Sequence, residues 1–321
     1  MNRSKLSLAG TALAMMILIL DSRAAGEAAR EGVELCIRTV IPSLFPFFLV
    51  SGLMTGNISG ECFVGRFFHA PAHCGTVILT GFLSGYPVGA KLAAQQYRTG
   101  FLTKSQAERL LWFCSQAGPS FFFGILPAQM GSVWPVWKLW AVQFLSALSV
   151  AWILPLRNAE ETAFRNAGQT GKTDLMSGAL KAMGSVCGWI ILFRVILSFM
   201  QRWFLWIWPD WIQLLLSGLL ELTNGCLMLG QIEDVGLRFL LAAVMLNFGG
   251  LCVMMQTRSV TSGLEFRGYI RGKCVQTLFS FLYANLFLGH SWPWLPLLCV
   301  VSRRYNLYTR KKCSIPARTG V

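Results

Sequence analysis

Long apolar runs separated by short polar stretches recur along nearly the whole chain. They fall at 6–20, 33–56, 76–98, 107–127 and 136–155, then at 178–200, 211–231, 237–256 and 274–301. Most are close to the roughly 20 residues that a helix needs to cross a bilayer. The longest polar stretch, "RNAEETAFRNAGQTGKTD" at 157–174, divides them into two groups. The pattern predicts an all-α polytopic membrane protein with two helical units joined by a linker. Several runs are interrupted: by Pro42 and Pro46, by Tyr86-Pro87, by Gly118-Pro119, around Glu221 to Gly225, at Gly249-Gly250, and by Pro293 and Pro296. Broken backbone frees N–H and C=O groups that lipid cannot satisfy. Such breaks are expected only against other protein or a water-filled cavity.

The two groups resemble each other in order. "GFLSGYPVG" from Gly81 parallels "GLLELTNG" from Gly218, and "CSQAGPSFFFG" from Cys114 parallels "LNFGGLCVMMQ" from Leu246. Each group also opens with a charged amphipathic lead-in, "REGVELCIRTVIPSLFPFFLV" and "LKAMGSVCGWIILFRVILSFM". Three matches in one order argue for a duplication. The chain therefore reads as an N-terminal membrane helix (1–24), a first repeat (25–155), a linker (156–175), a second repeat (176–302) and a basic tail (303–321).

Loop charge sets the relative orientation of the copies. The loop after the first broken helix carries Arg98, Lys104 and Arg109 against Glu108, whereas its counterpart carries Glu233 and Asp234 against Arg238. The next loop reverses the sign: "PAQMGSVWPVWK" has one cation, while "TRSVTSGLEFRGYIRGK" has Arg258, Arg267, Arg271 and Lys273 against Glu265. Basic loops favour the cytoplasm, so equivalent loops are expected on opposite sides. An inverted repeat of interrupted helices and re-entrant hairpins is the build of secondary transporters, with the solute site near the midplane. The runs at 33–56 and 178–200 are expected to be kinked or re-entrant beside that site.

Composition agrees with a membrane protein: 54% of the 321 residues are hydrophobic and 13% charged, against about 25% charged in soluble domains. The net charge of +14 resides in loops and in the tail "SRRYNLYTRKKC", where it serves topology and contact with anionic lipid, not nucleic acid. Arg3 and Lys5 precede an apolar run that resembles a secretory signal. Asp21-Ser22-Arg23 is a poor cleavage site, so an uncleaved helix is expected. The tail should be cytoplasmic by charge, yet counting 274–301 as one span puts it outside; a pair of short helices there would reconcile the two.

Of the ten cysteines, Cys36, Cys114, Cys187, Cys226, Cys252 and Cys299 lie in apolar runs as small packing residues. Cys62, His69, His73 and Cys74 have tolerable spacing for zinc, but Pro71 disrupts a shared helical face. A polar connection accounts for that segment, and no metal or other cofactor is expected. The three histidines, His69, His73 and His290, lie outside the breaks. No paired carboxylates, nucleophile elbow, Walker A or His-Glu-x-x-His motif occurs, so neither covalent chemistry nor direct ATP hydrolysis is expected.

"GFLSGYPVGAK" (Gly81 to Lys91), followed by "TKSQAERLLWFCSQAGPSF" (Thr103 to Phe121), resembles the YlbJ-type sporulation integral membrane proteins, within the wider nucleoside-recognition or Gate-domain group. "PSLFPFF" (Pro42 to Phe48), "GLLELTNG" (Gly218 to Gly225) and "NFGGLCV" (Asn247 to Val253) are similar to further elements of that family. The resemblance covers nearly all of the chain after residue 25 and makes the two repeats Gate-like. It implies a role in endospore formation: moving dipicolinate out of the mother cell, across the outer forespore membrane. The wider group also includes transporters of nucleosides and other small solutes. A membrane scaffold or gate subunit that needs a partner is the alternative of a different class, and a homo-oligomer is compatible with either.

Dipicolinate is a flat aromatic dianion, so its site needs cations or half-helix N-termini, polar donors and a stacking surface. Ser84, Tyr86 and Lys91 at one break, and Ser115, Gln116 and Ser120 at the next, supply such groups. Thr223, Asn224 and Asn247 come from the second repeat. Glu221 is the expected carrier of a coupling proton or sodium ion, because an intramembrane carboxylate is costly without a partner or a function. Two readings of Lys91 stay open, a ligand contact and a side chain that snorkels to the interface. Tyr86 has helix packing as its alternative role. Arg38 and Arg194 are expected at head groups, with a gating role as their alternative, and "RWFLWIWPDW" (Arg202 to Trp211) as interfacial anchors.

Overall fold

A computed structural model of the chain describes residues 11–12, 15–54, 63–153 and 175–289, with side chains at 43, 51–54 and 175 excepted. Part of the N-terminal run, Cys62, most of the linker, His290, the Pro293 and Pro296 breaks and the basic tail lie outside the described residues, as does the side on which that tail emerges. Within them the chain is helical, with no strand. Three helices, Trp134–Ile153, Met176–Trp203 and Val235–Val260, are long and apolar enough to cross a membrane, and Ser22–Val40 with Leu44–Val50 forms an apolar pair bent by 56°, the geometry of a broken span or a re-entrant loop.

After a helical stretch at 15–20, α1 (Ser22–Leu35) runs through a π-helical turn at Cys36–Val40 into α2 (Ile41–Met54). The bend lies where Pro42 and Pro46 remove backbone donors. A short α3 (Phe63–Phe67) precedes the first hairpin, α4 (Gly75–Ser84) and α5 (Val88–Arg98). Next come α6 (Lys104–Leu110), α7 (Pro119–Met130) and α8 (Trp134–Ile153). The second half holds α9 (Leu175–Trp203), a second hairpin of α10 (Asp210–Leu220) and α11 (Leu222–Met228), then α12 (Val235–Phe248), α13 (Gly250–Val260) and α14 (Arg267–Phe287).

Local chemistry explains the starts and stops. Thr103 and Gln106 form a reciprocal capping box at α6, and the Asp234 carboxylate accepts from Leu237 N–H at α12. Pro119 begins α7, where its missing N–H costs nothing. Gly249, at φ +85°, separates α12 from α13 in a conformation that a side chain would oppose.

Contacts at the helix ends fix the topology. At one end Arg98, closing α5, donates to Val260 O (3.2 Å) and Ser262, and Trp152 near the end of α8 donates to Phe67 O (3.0 Å). Glu265 N–H, just before α14, donates to Glu108 there (2.9 Å). His73, at the start of the first hairpin, meets Phe101, just past its end, ring edge to face at 5.7 Å. Both ends of hairpin α4–α5 therefore lie at this pole. At the opposite pole Gly230, just past α11, donates to Gln129 (3.3 Å), and Arg238 in α12 donates to Gln129 O (3.1 Å). Hairpin α10–α11 enters from there. Helix α8 runs from the second pole to the first and α14 runs the other way. The two hairpins thus enter from opposite ends of the molecule.

Each hairpin closes on a pair of glycines. A Cβ on Gly89 would lie 2.6 Å from Gly81 Cα and 2.4 Å from Cys114 O; one on Gly225 would lie 2.2 Å from Gly218 Cα and 3.1 Å from Met245 Sδ. Small residues let the backbones touch where no side chain fits. Cys114 and Met245 each precede a glycine, Gly118 or Gly249, by four residues.

Two sequence expectations need correction. The run at 178–200 is neither re-entrant nor broken: it lies within the 29-residue α9, which contains no proline and whose three glycines, Gly178, Gly184 and Gly188, face open space. The helix read as 274–301 begins at Arg267, so three cations of the presumed loop lie inside α14.

Candidate functional site

A cavity of about 100 Å³, several water-sized volumes, lies where the hairpin tips meet. Its wall includes Ser84, Gly85 and Tyr86 from the first tip and Glu221, Leu222 and Thr223 from the second. Gly118 and Ser120 come from the break before α7, Thr39 and Leu44 from the α1–α2 bend, and Gln256 from α13. Hydroxyls and an amide alternate with aliphatic and aromatic surface, as in sites that orient a small solute. Among the described residues, Glu221 is the one charged side chain in this wall.

The tips present polar groups because their backbones are open. Helix α4 ends at Ser84, and Gly85 at φ +84° turns the chain back within 3.0 Å of Gly118, measured from a Cβ built on Gly85. In the second hairpin the break is confined to Glu221, which is only 2% exposed. Its two carboxylate oxygens accept from Thr223 N–H (3.0 Å) and Asn224 N–H (2.7 Å), so the side chain caps α11. Charge-assisted bonds of this type are among the stronger ones.

Other predicted residues lie around the cavity rather than in its wall. Ser115 and Gln116 are buried in the segment that leads to Gly118. Asn247 is buried in α12 and accepts from Gln276 (2.9 Å), while Asn224 accepts from Arg194 of α9. Arg194 also pairs with Glu31 on α1 at 2.8 Å, which ties α1 and α9 to the second hairpin rather than to head groups. Lys91 does not line the cavity; its ammonium sits 4.7 Å from the centre of the Phe48 ring. Of the four breaks, that at Gly249 packs on Tyr86, with a built Cβ 3.6 Å from the ring, and the Tyr86 hydroxyl donates to Leu246 O.

Sequence reasoning missed the side chains that hold the breaks. Gln143 in α8 pairs with both backbone groups of Ala117, accepting from N–H at 3.2 Å and donating to C=O at 3.0 Å. Gln276 is in the same register of α14 and joins Gln116 (2.7 Å) to Asn247. The clue was present as Val-Gln-x-Leu at Val142 to Leu145 and again at Val275 to Leu278. Lys273, beside Gln276, is fully buried. Among the described residues no group of three or more metal-ligating side chains gathers, and His69 stacks on Trp152 at 5.2 Å.

No family model and no solved structure matches the chain. Over an alignment of 331 positions it is 25% identical to the sporulation integral membrane protein YlbJ of Bacillus subtilis (strain 168), covering 86% of this chain and 79% of that one. The aligned region is extensive enough to take in both hairpins, and the similarity supports assignment of the chain to the YlbJ-type family.

Proposed function

We propose that the protein is a permease for a small anionic solute, most simply dipicolinate, in a membrane of the sporulating cell, with the outer forespore membrane as its place. The observation that carries this reading is the pair of glycine-closed hairpins entering from opposite ends and meeting at one cavity. Such a site can be served from either side by rocking one unit against the other. The relative's name and the resemblance of the sequence supply sporulation; the geometry supports transport without covalent chemistry.

The cavity wall also bears on coupling. A dianionic solute and the Glu221 carboxylate repel each other in a desolvated space. Solute entry is therefore accompanied by a proton or a sodium ion on Glu221, which makes this residue the coupling site.

The test is uptake of labelled dipicolinate by the purified protein in liposomes. Saturable flux, competed by unlabelled dipicolinate and not by nucleosides, is the expected result. Competition by nucleosides would move the protein to the nucleoside-type reading. Flux that requires a second membrane protein would make it a gate subunit.

A further inference from the structure

Lys273 lies in the middle of α14 with 0% exposure. Its Nζ is 3.2 Å from Gln276 Oε1 and 3.4 Å from Gln116 Oε1, and 5.3 Å from the centre of the Tyr86 ring. Two amide oxygens and an aromatic face satisfy the ammonium locally. Yet no carboxylate pairs with it among the described residues. An uncompensated charge in a membrane interior is expensive, and a purely structural role is a poor reason to keep one.

The fold itself provides a comparison. Gln143 and Gln276 hold equivalent positions in α8 and α14, so the counterpart of Lys273 three residues earlier is Trp140. An indole rather than a cation occupies that place in α8, so the charge distinguishes one half from the other.

Its location relative to the cavity suggests what it does. Tyr86 lines the cavity, and the same ring carries Lys273 against it. Lys273 is not in the wall, and Tyr86 is the wall residue whose ring it meets. The ring is held by the bond from its hydroxyl to Leu246 O, beside the Gly249 break.

We infer that Lys273 supplies the positive charge that receives the solute's carboxylate, reached from the cavity when the Tyr86 ring moves aside. The inference rests on the permease reading and replaces Lys91 with Lys273 as the anion's partner. Gln116 and Gln276 orient the ammonium, and the hairpin tip controls access to it. In the arrangement seen, the cavity shows its acid and hides its base.

Equilibrium binding to the purified full-length protein tests this with two probes of the same shape, dipicolinate and its neutral diamide. Lys273→Gln is expected to weaken dipicolinate binding roughly thirtyfold or more, as for other desolvated charge partners. The diamide should change by less than about threefold, because it never used the charge. Lys91→Gln should leave both affinities unchanged. A thermal melt confirms that the variant is folded; should Lys273→Gln fail to fold, Tyr86→Phe is the second variant. Freed from Leu246 O, the Tyr86→Phe ring should raise the association rate of dipicolinate and not that of the diamide. Equal effects on the two probes, or unchanged dipicolinate affinity in folded Lys273→Gln, would overturn the inference and leave the permease reading standing. Wild-type protein that binds neither probe would overturn both.

Discussion

Gly225→Val is expected to yield no stably folded protein. The first added atom would lie 2.2 Å from Gly218 Cα and 2.7 Å from Gly218 N, and backbone at a helix crossing cannot yield as a side chain can. Overpacking ordinarily costs about 1–3 kcal/mol, but here the whole hairpin has to part, and a loss above about 4 kcal/mol is expected. Gly89→Val should behave alike, since its Cβ would meet Gly81 Cα at 2.6 Å. The control is Gly188→Ala, where nothing lies within 4 Å and an alanine favours the helix by roughly 1 kcal/mol. Thermal melts and size exclusion in detergent separate the cases. A Gly225→Val protein that melts with the wild type would mean the two hairpin arms are not in contact.

Glu221→Gln is expected to fold and bind solute while losing its response to the ion gradient. Glutamine retains an acceptor for one of the two amides that the carboxylate caps, Thr223 N–H and Asn224 N–H, and loses the charge that carries the coupling ion. If a proton is coupled, a gradient of about one pH unit supports roughly tenfold accumulation by wild type, and the variant should only equilibrate. Glu221→Ala should be worse in a different way. It leaves both buried amides unpaired, at about 1–3 kcal/mol each, and reduces the amount of folded protein. Uptake by Glu221→Gln that still follows the gradient would assign the carboxylate to capping alone.

Much of this arrangement was legible in the sequence because breaks announce themselves. Ser84, Gly85 and Pro87, Gly118 and Pro119, Glu221, and Gly249 are polar or helix-breaking residues inside apolar runs. The structure opens the backbone at each of these places, and three of the breaks contribute to the cavity wall. What was not legible was α14. Its buried face includes Tyr269, Gly272, Lys273, Gln276, Ser280 and Ala284, a helical stripe of mostly small and polar groups turned inward. Periodicity assigns the apolar stripe to the interior, whereas in lipid the polar stripe seeks protein and the apolar one faces outward. Arg267 and Arg271 on the outer face made the segment look like a loop. Trp112 explains the small residues, since a Cβ on Gly268 or Gly272 would lie 2.0 Å or 2.5 Å from its atoms. The same reversal hid Gln143, whose helix otherwise reads as plain apolar span.

The central claim is that the cavity between the hairpins is a solute site served in turn from both sides of the membrane. Labelling of a single cysteine at Ser84, in a protein with its own ten cysteines replaced, tests it most directly. Membrane-impermeant maleimide, applied to sealed vesicles from the outside or trapped within, reports which side reaches the tip. The account predicts labelling from either side, slowed from both by dipicolinate. Labelling from one side only, at a rate that dipicolinate does not change, would contradict it.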